Sequence, residues 1–88
     1  MVPEMISEAL ENVNDRESFL HFVQMLSSLA PRWNNGVMTG GVGWESQDIS
    51  GYLESSAAWA RDSKFQITAL DNPWSKMAEF LYVGMIYE

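Results

Sequence analysis

Hydrolytic chemistry at neutral pH looks first to histidine as its base. This 88-residue chain has one, His21. It falls on the polar side of an amphipathic pattern, opposite Phe19 and Val23, and no Ser-His-Asp or Cys-His set assembles around it. There is no cysteine, which removes disulfides, thiolate zinc sites and cysteine nucleophiles together. A hard cation such as calcium needs clustered oxygen ligands, yet the carboxylates are scattered and no D-x-[DN]-x-[DN]-G spacing occurs. A carboxylate pair for glycoside hydrolysis is open on spacing alone, but a chain of this size leaves little room for a sugar cleft. The run GGVG at residues 40–43 is a weak phosphate cradle, because no Lys follows it and no strong strand precedes it. The expectation is a non-enzyme with no catalytic residue, no cofactor and no metal.

Binding is the chemistry that remains. Twelve acidic and five basic residues give a net charge of −7. Such a field repels phosphate backbones and anionic headgroups, so nucleic acid and membrane surfaces are poor partners. A basic protein suits it better, since complementary potentials speed encounter and exclude wrong partners. Solubility alone is the other reading of the charge.

The elements that must position any binding residues follow from periodicity. At this length the whole chain, 1–88, is expected to form a single domain. Its apolar fraction of 47% is ordinary for a globular protein, and four Trp, four Phe and three Tyr provide large buried areas. Pro3 suits the first turn of a helix, with Met5, Ile6, Ala9, Leu10 and Val13 on one face and Glu4, Glu8 and Glu11 on the other. Asn14, with Glu17 three residues on, suits the cap of a second helix that carries Phe19, Phe22, Val23, Leu26 and Ala30 up to Pro31. Residues 31–43 hold the dense Gly and Asn cluster and read as a connector or a small hairpin turning at Gly40-Gly41. Ser46 suits a third cap, with Asp48 in the first turn. Winding that helix puts Ile49, Tyr52, Leu53, Ser56, Trp59 and Ala60 on its core side. Trp59 is expected in the core, and Trp44 is expected to fold back on the first turn. Residues 64–68 read as a short strand or an extended connector. Asn72-Pro73 caps a last helix whose stretch 80–87 is apolar almost all round, as in a helix central to the core or one buried against a partner.

The segment WESQDISGYLESSAAWARD, followed by NPWSKMAEFLYVGMIYE, resembles a family of small acidic bacterial proteins, a domain of unknown function. Trp44, Glu45, Ile49, Tyr52, Leu53, Glu54 and Trp59 match its W-E-N...L-E-A...W core. Trp74, Ala78, Leu81, Tyr87 and Glu88 match its W...A..L...Y-E ending. Ser46 stands where that family has Asn, and WNNGVMTGGVG makes a longer connector. The resemblance implies a compact, mostly helical fold and no reaction. By type, such proteins include immunity and regulatory partners.

The fold class expected is therefore mainly α: a four-helix domain with helices at 3–13, 15–30, 47–61 and 73–86, and a Gly-rich connector that forms a minor hairpin or pairs with residues 64–68. The candidate protein-binding residues are Trp33, Trp44, Glu45, Asp48, Gly51, Glu54, Ser55 and Ala58. Gly51, Ser55, Ala58 and Asp62 form a small-residue row on what is expected to be the outer side of the third helix. That row is either tolerance of weak propensity or a place where another backbone approaches. Trp33, Tyr82 and Tyr87 fit no single stripe, and either cap the core edges or serve as binding anchors. The function expected is a non-catalytic, cytoplasmic, protein-binding module; a self-associating homodimer is the alternative, and a small enzyme is the third class. The N-terminus, with no basic stretch and no long apolar run, is expected to be neither a signal peptide nor a membrane anchor.

Overall fold

A computed structural model describes residues 3–87. Its elements run α1 (Glu4–Glu11), α2 (Arg16–Leu29), β1 (Arg32–Asn34), β2 (Val37–Thr39), α3 (Ile49–Asp62) and α4 (Pro73–Ile86). The expected mainly α architecture of four helices with a minor hairpin is the one found. Val13 lies beyond the end of α1, because the Asn12 side chain donates to the Glu8 carbonyl at 2.9 Å and closes the helix there. Val13 is nonetheless buried.

Two caps differ from expectation. Asp15, and not Asn14, caps α2: its carboxylate accepts from the Ser18 N–H at 2.9 Å, and the Ser18 hydroxyl accepts from the Asp15 N–H at 3.1 Å. This reciprocal pair is a capping box with Ser in place of Glu. Asp48, and not Ser46, caps α3 by accepting from the Gly51 N–H at 2.7 Å. The start of α4 is as expected. Asn72 accepts from the N–H groups of Trp74 and Ser75, and Pro73 fills the first helical position. The Asn72 amide also donates to the Asn14 carbonyl at 2.7 Å, which ties α4 to the α1–α2 junction.

The hairpin pairs Arg32 with Thr39, Trp33 with Met38 and Asn34 with Val37. Its turn is Asn35-Gly36, with φ of 54° and 79°, not Gly40-Gly41. Two successive left-handed residues give the turn twist that matches paired strands, which Asn-Gly supplies at least cost. Gly40-Gly41 instead bring the chain back to α2, where the Gly41 N–H donates to the Leu29 carbonyl at 2.8 Å.

Residues 64–68 form no strand and pair with nothing in the hairpin. The start of this segment is used to end α3. Lys64 takes a left-handed φ of 58°, its N–H donates to the Arg61 carbonyl, and the Phe65 N–H donates to the Ala60 carbonyl. This is a Schellman ending, and its usual apolar contact is the Phe65 ring on Trp59, with centroids 5.1 Å apart. Trp59 therefore sits in a side cluster with Phe65 and Phe80, and not in the main core as expected.

That core consists of Ile6, Val13, Phe19, Phe22, Leu26, Ala78 and Met85. It lies where α1 and α2 meet α4, and α4 touches all three other helices. On α4, Ala78, Gly84 and Met85 are buried, and Leu81, Tyr82 and Ile86 are partly buried against the core. Along α3, Ile49 and Leu53 are exposed, contrary to the expected core face. Tyr52 and Ser56, from the same expected side, do face α4 and turn their hydroxyls towards it. Tyr52 donates to the Leu81 carbonyl at 2.6 Å and Ser56 to the Phe80 carbonyl at 3.1 Å. Gly84 makes the approach feasible, since a Cβ there would collide with the Ser56 hydroxyl and press on Tyr52.

Candidate protein-binding cleft

The rotation of α3 leaves an open cleft beside it. A space of about 600 Å³ lies between the last turns of α2, the hairpin, the connector before α3 and the first turn of α3. Val23 and Leu26 form its floor side from α2, Leu81 comes from α4, and Ile49 and Tyr52 come from α3. Trp33 and Trp44 complete a wall that is apolar almost throughout.

Each aromatic is held differently. Trp33 is 57% exposed, yet its Nε1–H donates to the Gln47 carbonyl at 3.0 Å, which pins the hairpin indole to the connector. Trp44 packs on Tyr52 with ring centroids 5.5 Å apart, the expected fold-back on the first turn of α3. Its Nε1 is buried and has no partner among the described residues. A donor left so costs about 1–3 kcal/mol, which Phe would avoid at the loss of aromatic area. Burial pushes the Tyr52 hydroxyl up to about 12 and keeps it a neutral donor.

Among the described residues, Asp48 supplies the one charge in the lining. Its Oδ1 is taken by the α3 cap, and its Oδ2 accepts no bond from the described residues. Arg32, the basic residue next to Trp33 in sequence, is turned to the end of α2, where its guanidinium donates to the Ser27 carbonyl at 3.2 Å.

Of the residues singled out in sequence, the fold brings Trp33, Trp44 and Asp48 into this lining. Glu45 is exposed beside Trp44, with its N–H bound to the Met85 carbonyl at 2.7 Å. Gly51 backs the Asp48 cap, and Ser55 shares a hydrogen bond of 3.3 Å with Ser46, a cleft residue. Glu54 and Ala58 do not reach the cleft. The small-residue row is not an open outer face: Gly51, Ser55 and Ala58 are half-buried, and Asp62 accepts from the Tyr87 hydroxyl. Of the three unplaced aromatics, Trp33 is exposed, Tyr82 packs against the core, and Tyr87 closes on Asp62.

Ile49, Gln47, Pro31 and Leu81 belong to the cleft and were not candidates. Ile49 carried no usable signal, because its helical spacing with Tyr52 and Leu53 reads as core. Leu81 carried none, because its position in the wall depends on how α4 meets α3.

His21 is exposed on α2, and no group of three or more metal-binding side chains occurs among the described residues. No helix among them is long and apolar enough to cross a membrane. Set against family models, curated proteins and solved structures, the chain matches none.

Proposed function

We propose that this protein is a non-catalytic binding module that holds an apolar segment of another protein in the cleft between α2, the hairpin and α3. One observation carries the reading. Trp33 is largely exposed but fixed by its hydrogen bond to Gln47, at the edge of a 600 Å³ apolar space. An aromatic ordered before binding loses little freedom on contact, which is the property of an interface anchor. Ile49, 75% exposed in the same lining, offers a second apolar contact. We assign such a module an immunity-like or regulatory role, as the resemblance read from the sequence implies, and the lack of cysteine suits a cytoplasmic setting.

A random-peptide display library panned on the protein tests this. Enriched peptides should lose binding to Ile49→Asp and dissociate about tenfold faster from Trp33→Ala, in proportion to the anchor area removed. Peptides that bind both variants as well as the parent would remove the cleft from the reading.

A further inference from the structure

We propose that the segment filling the cleft carries a cationic side chain, an arginine by preference, beside its apolar anchor; this rests on the protein-binding reading above. The lining combines three electron-rich aromatics, Trp33, Trp44 and Tyr52, with a single carboxylate, Asp48, and contains no Lys or Arg. Ring faces of this kind attract a cation within about 6 Å of the centroid, and Trp does so best. Arginine fits better than lysine, because a guanidinium is weakly hydrated, stacks on aromatic planes and still donates to a carboxylate. The free Oδ2 of Asp48 is the acceptor such a group would find.

The nearest competing charge does not fill the place. Arg32 is engaged with the Ser27 carbonyl at the end of α2 and is not among the lining residues. Elsewhere the fold satisfies the same chemistry from within, since Lys76 Nζ stands 4.8 Å above the Phe65 ring. Among the described residues, no Lys or Arg lines the cleft to play that part. Glu45 beside Trp44 and the net charge of −7 add to the attraction for a cationic group over a neutral or anionic one.

Three probes of equal apolar length separate charge from burial: hexylguanidinium, hexanol and hexanoate. The four Trp indole N–H resonances report where each binds. Trp33 and Trp44 line the cleft, whereas Trp59 lies against Phe65 and Trp74 against Phe19, so the latter two are internal controls. Hexylguanidinium should move the Trp33 and Trp44 signals saturably, about 3- to 10-fold more tightly than hexanol, with hexanoate weakest. Asp48→Asn keeps a helix-capping side chain and should weaken hexylguanidinium about 2- to 3-fold while leaving hexanol unchanged. Equal affinities for the three probes, or a preference for hexanoate, overturn the cationic assignment while leaving the cleft reading in place. If no probe, hexanol included, moves Trp33 or Trp44, the docking reading itself falls.

Discussion

At the residue scale, Tyr52 shows how one side chain serves both stability and the candidate site. Its ring faces Trp44 in the cleft wall, while its hydroxyl donates to the Leu81 carbonyl of α4. Burial raises its folded value from 10 to about 12, so the unfolded chain ionises first. Its contribution is complete below pH 10 and is lost as pH rises towards 12. Tyr87, also raised, by its hydrogen bond to Asp62, adds to the same decline. Urea unfolding followed from pH 8 to pH 12 should therefore show a falling midpoint, with a shallower fall in Tyr52→Phe. An unchanged slope in that variant would mean that the hydroxyl is not protected in the fold. On the acid side the sign reverses. Asp15 and Asp71 are held below the usual carboxylate range by the backbone N–H groups of Ser18 and Thr68, so what they contribute is lost as pH falls.

At the scale of elements, the α3–α4 contact decides the shape of the cleft. Apolar periodicity alone would have turned Ile49 and Leu53 inwards. Two side-chain hydroxyls with carbonyl acceptors on α4, and a glycine opposite them, draw in only the Tyr52 and Ser56 edge of that expected face and leave Ile49 and Leu53 outside. Ser56 is fully buried, so an acceptor for its hydroxyl is required and not optional. Gly84→Ala places a methyl group against the Ser56 hydroxyl and about 3 Å from the Tyr52 ring, which forces the helices apart. The expected cost is about 1–3 kcal/mol, or a fall of roughly 4–8 °C in Tm per kcal/mol. Replacing Ser56 as well as Gly84 by Ala removes the clashing hydroxyl and should recover part of the loss. Full stability in Gly84→Ala alone, by calorimetry, would show that the helices do not meet as closely as described.

Across the whole molecule, the core is thin. The extents are 46 × 27 × 19 Å and the Cα radius of gyration is 13.3 Å, against about 12 Å for a compact chain of this length. Among the described residues, large exposed apolar side chains include Trp33 and Ile49 in the cleft lining and Leu53 on α3, while the buried cluster lies at the α1–α2–α4 junction. Apolar surface left open in so small a domain is either covered by a partner or tolerated. A second copy is the simplest partner, but each copy carries −7, and like charges oppose its approach. Light scattering at micromolar concentration and physiological salt is expected to give the monomer mass. A dimer that Ile49→Asp splits would assign the cleft to self-association, whereas the monomer leaves it to a different protein.

Helix number and order were legible in the chain, because they rest on local physics. Apolar residues at a 3.6-residue spacing, Pro31 after α2 and Asn72-Pro73 before α4 act within a turn or two, whatever lies across the molecule. The cap choices at Asp15 and Asp48 missed by one or two positions, since neighbouring Asn, Ser and Asp side chains all accept from a free N–H. Only the chain trace separates them. Trp33 was legible as a candidate because it fits no apolar stripe, Asp48 as a carboxylate of the acidic segment, and Trp44 as the indole just ahead of α3. Their meeting in one cleft was not legible, as it depends on Trp33 reaching Gln47 and on how α3 is rotated about its axis. Periodicity specifies that a helix has an apolar side; which side is buried is set by the partner surface. Here that surface is α4, where two carbonyls and the missing side chain of Gly84 select the Tyr52 and Ser56 edge over Ile49 and Leu53.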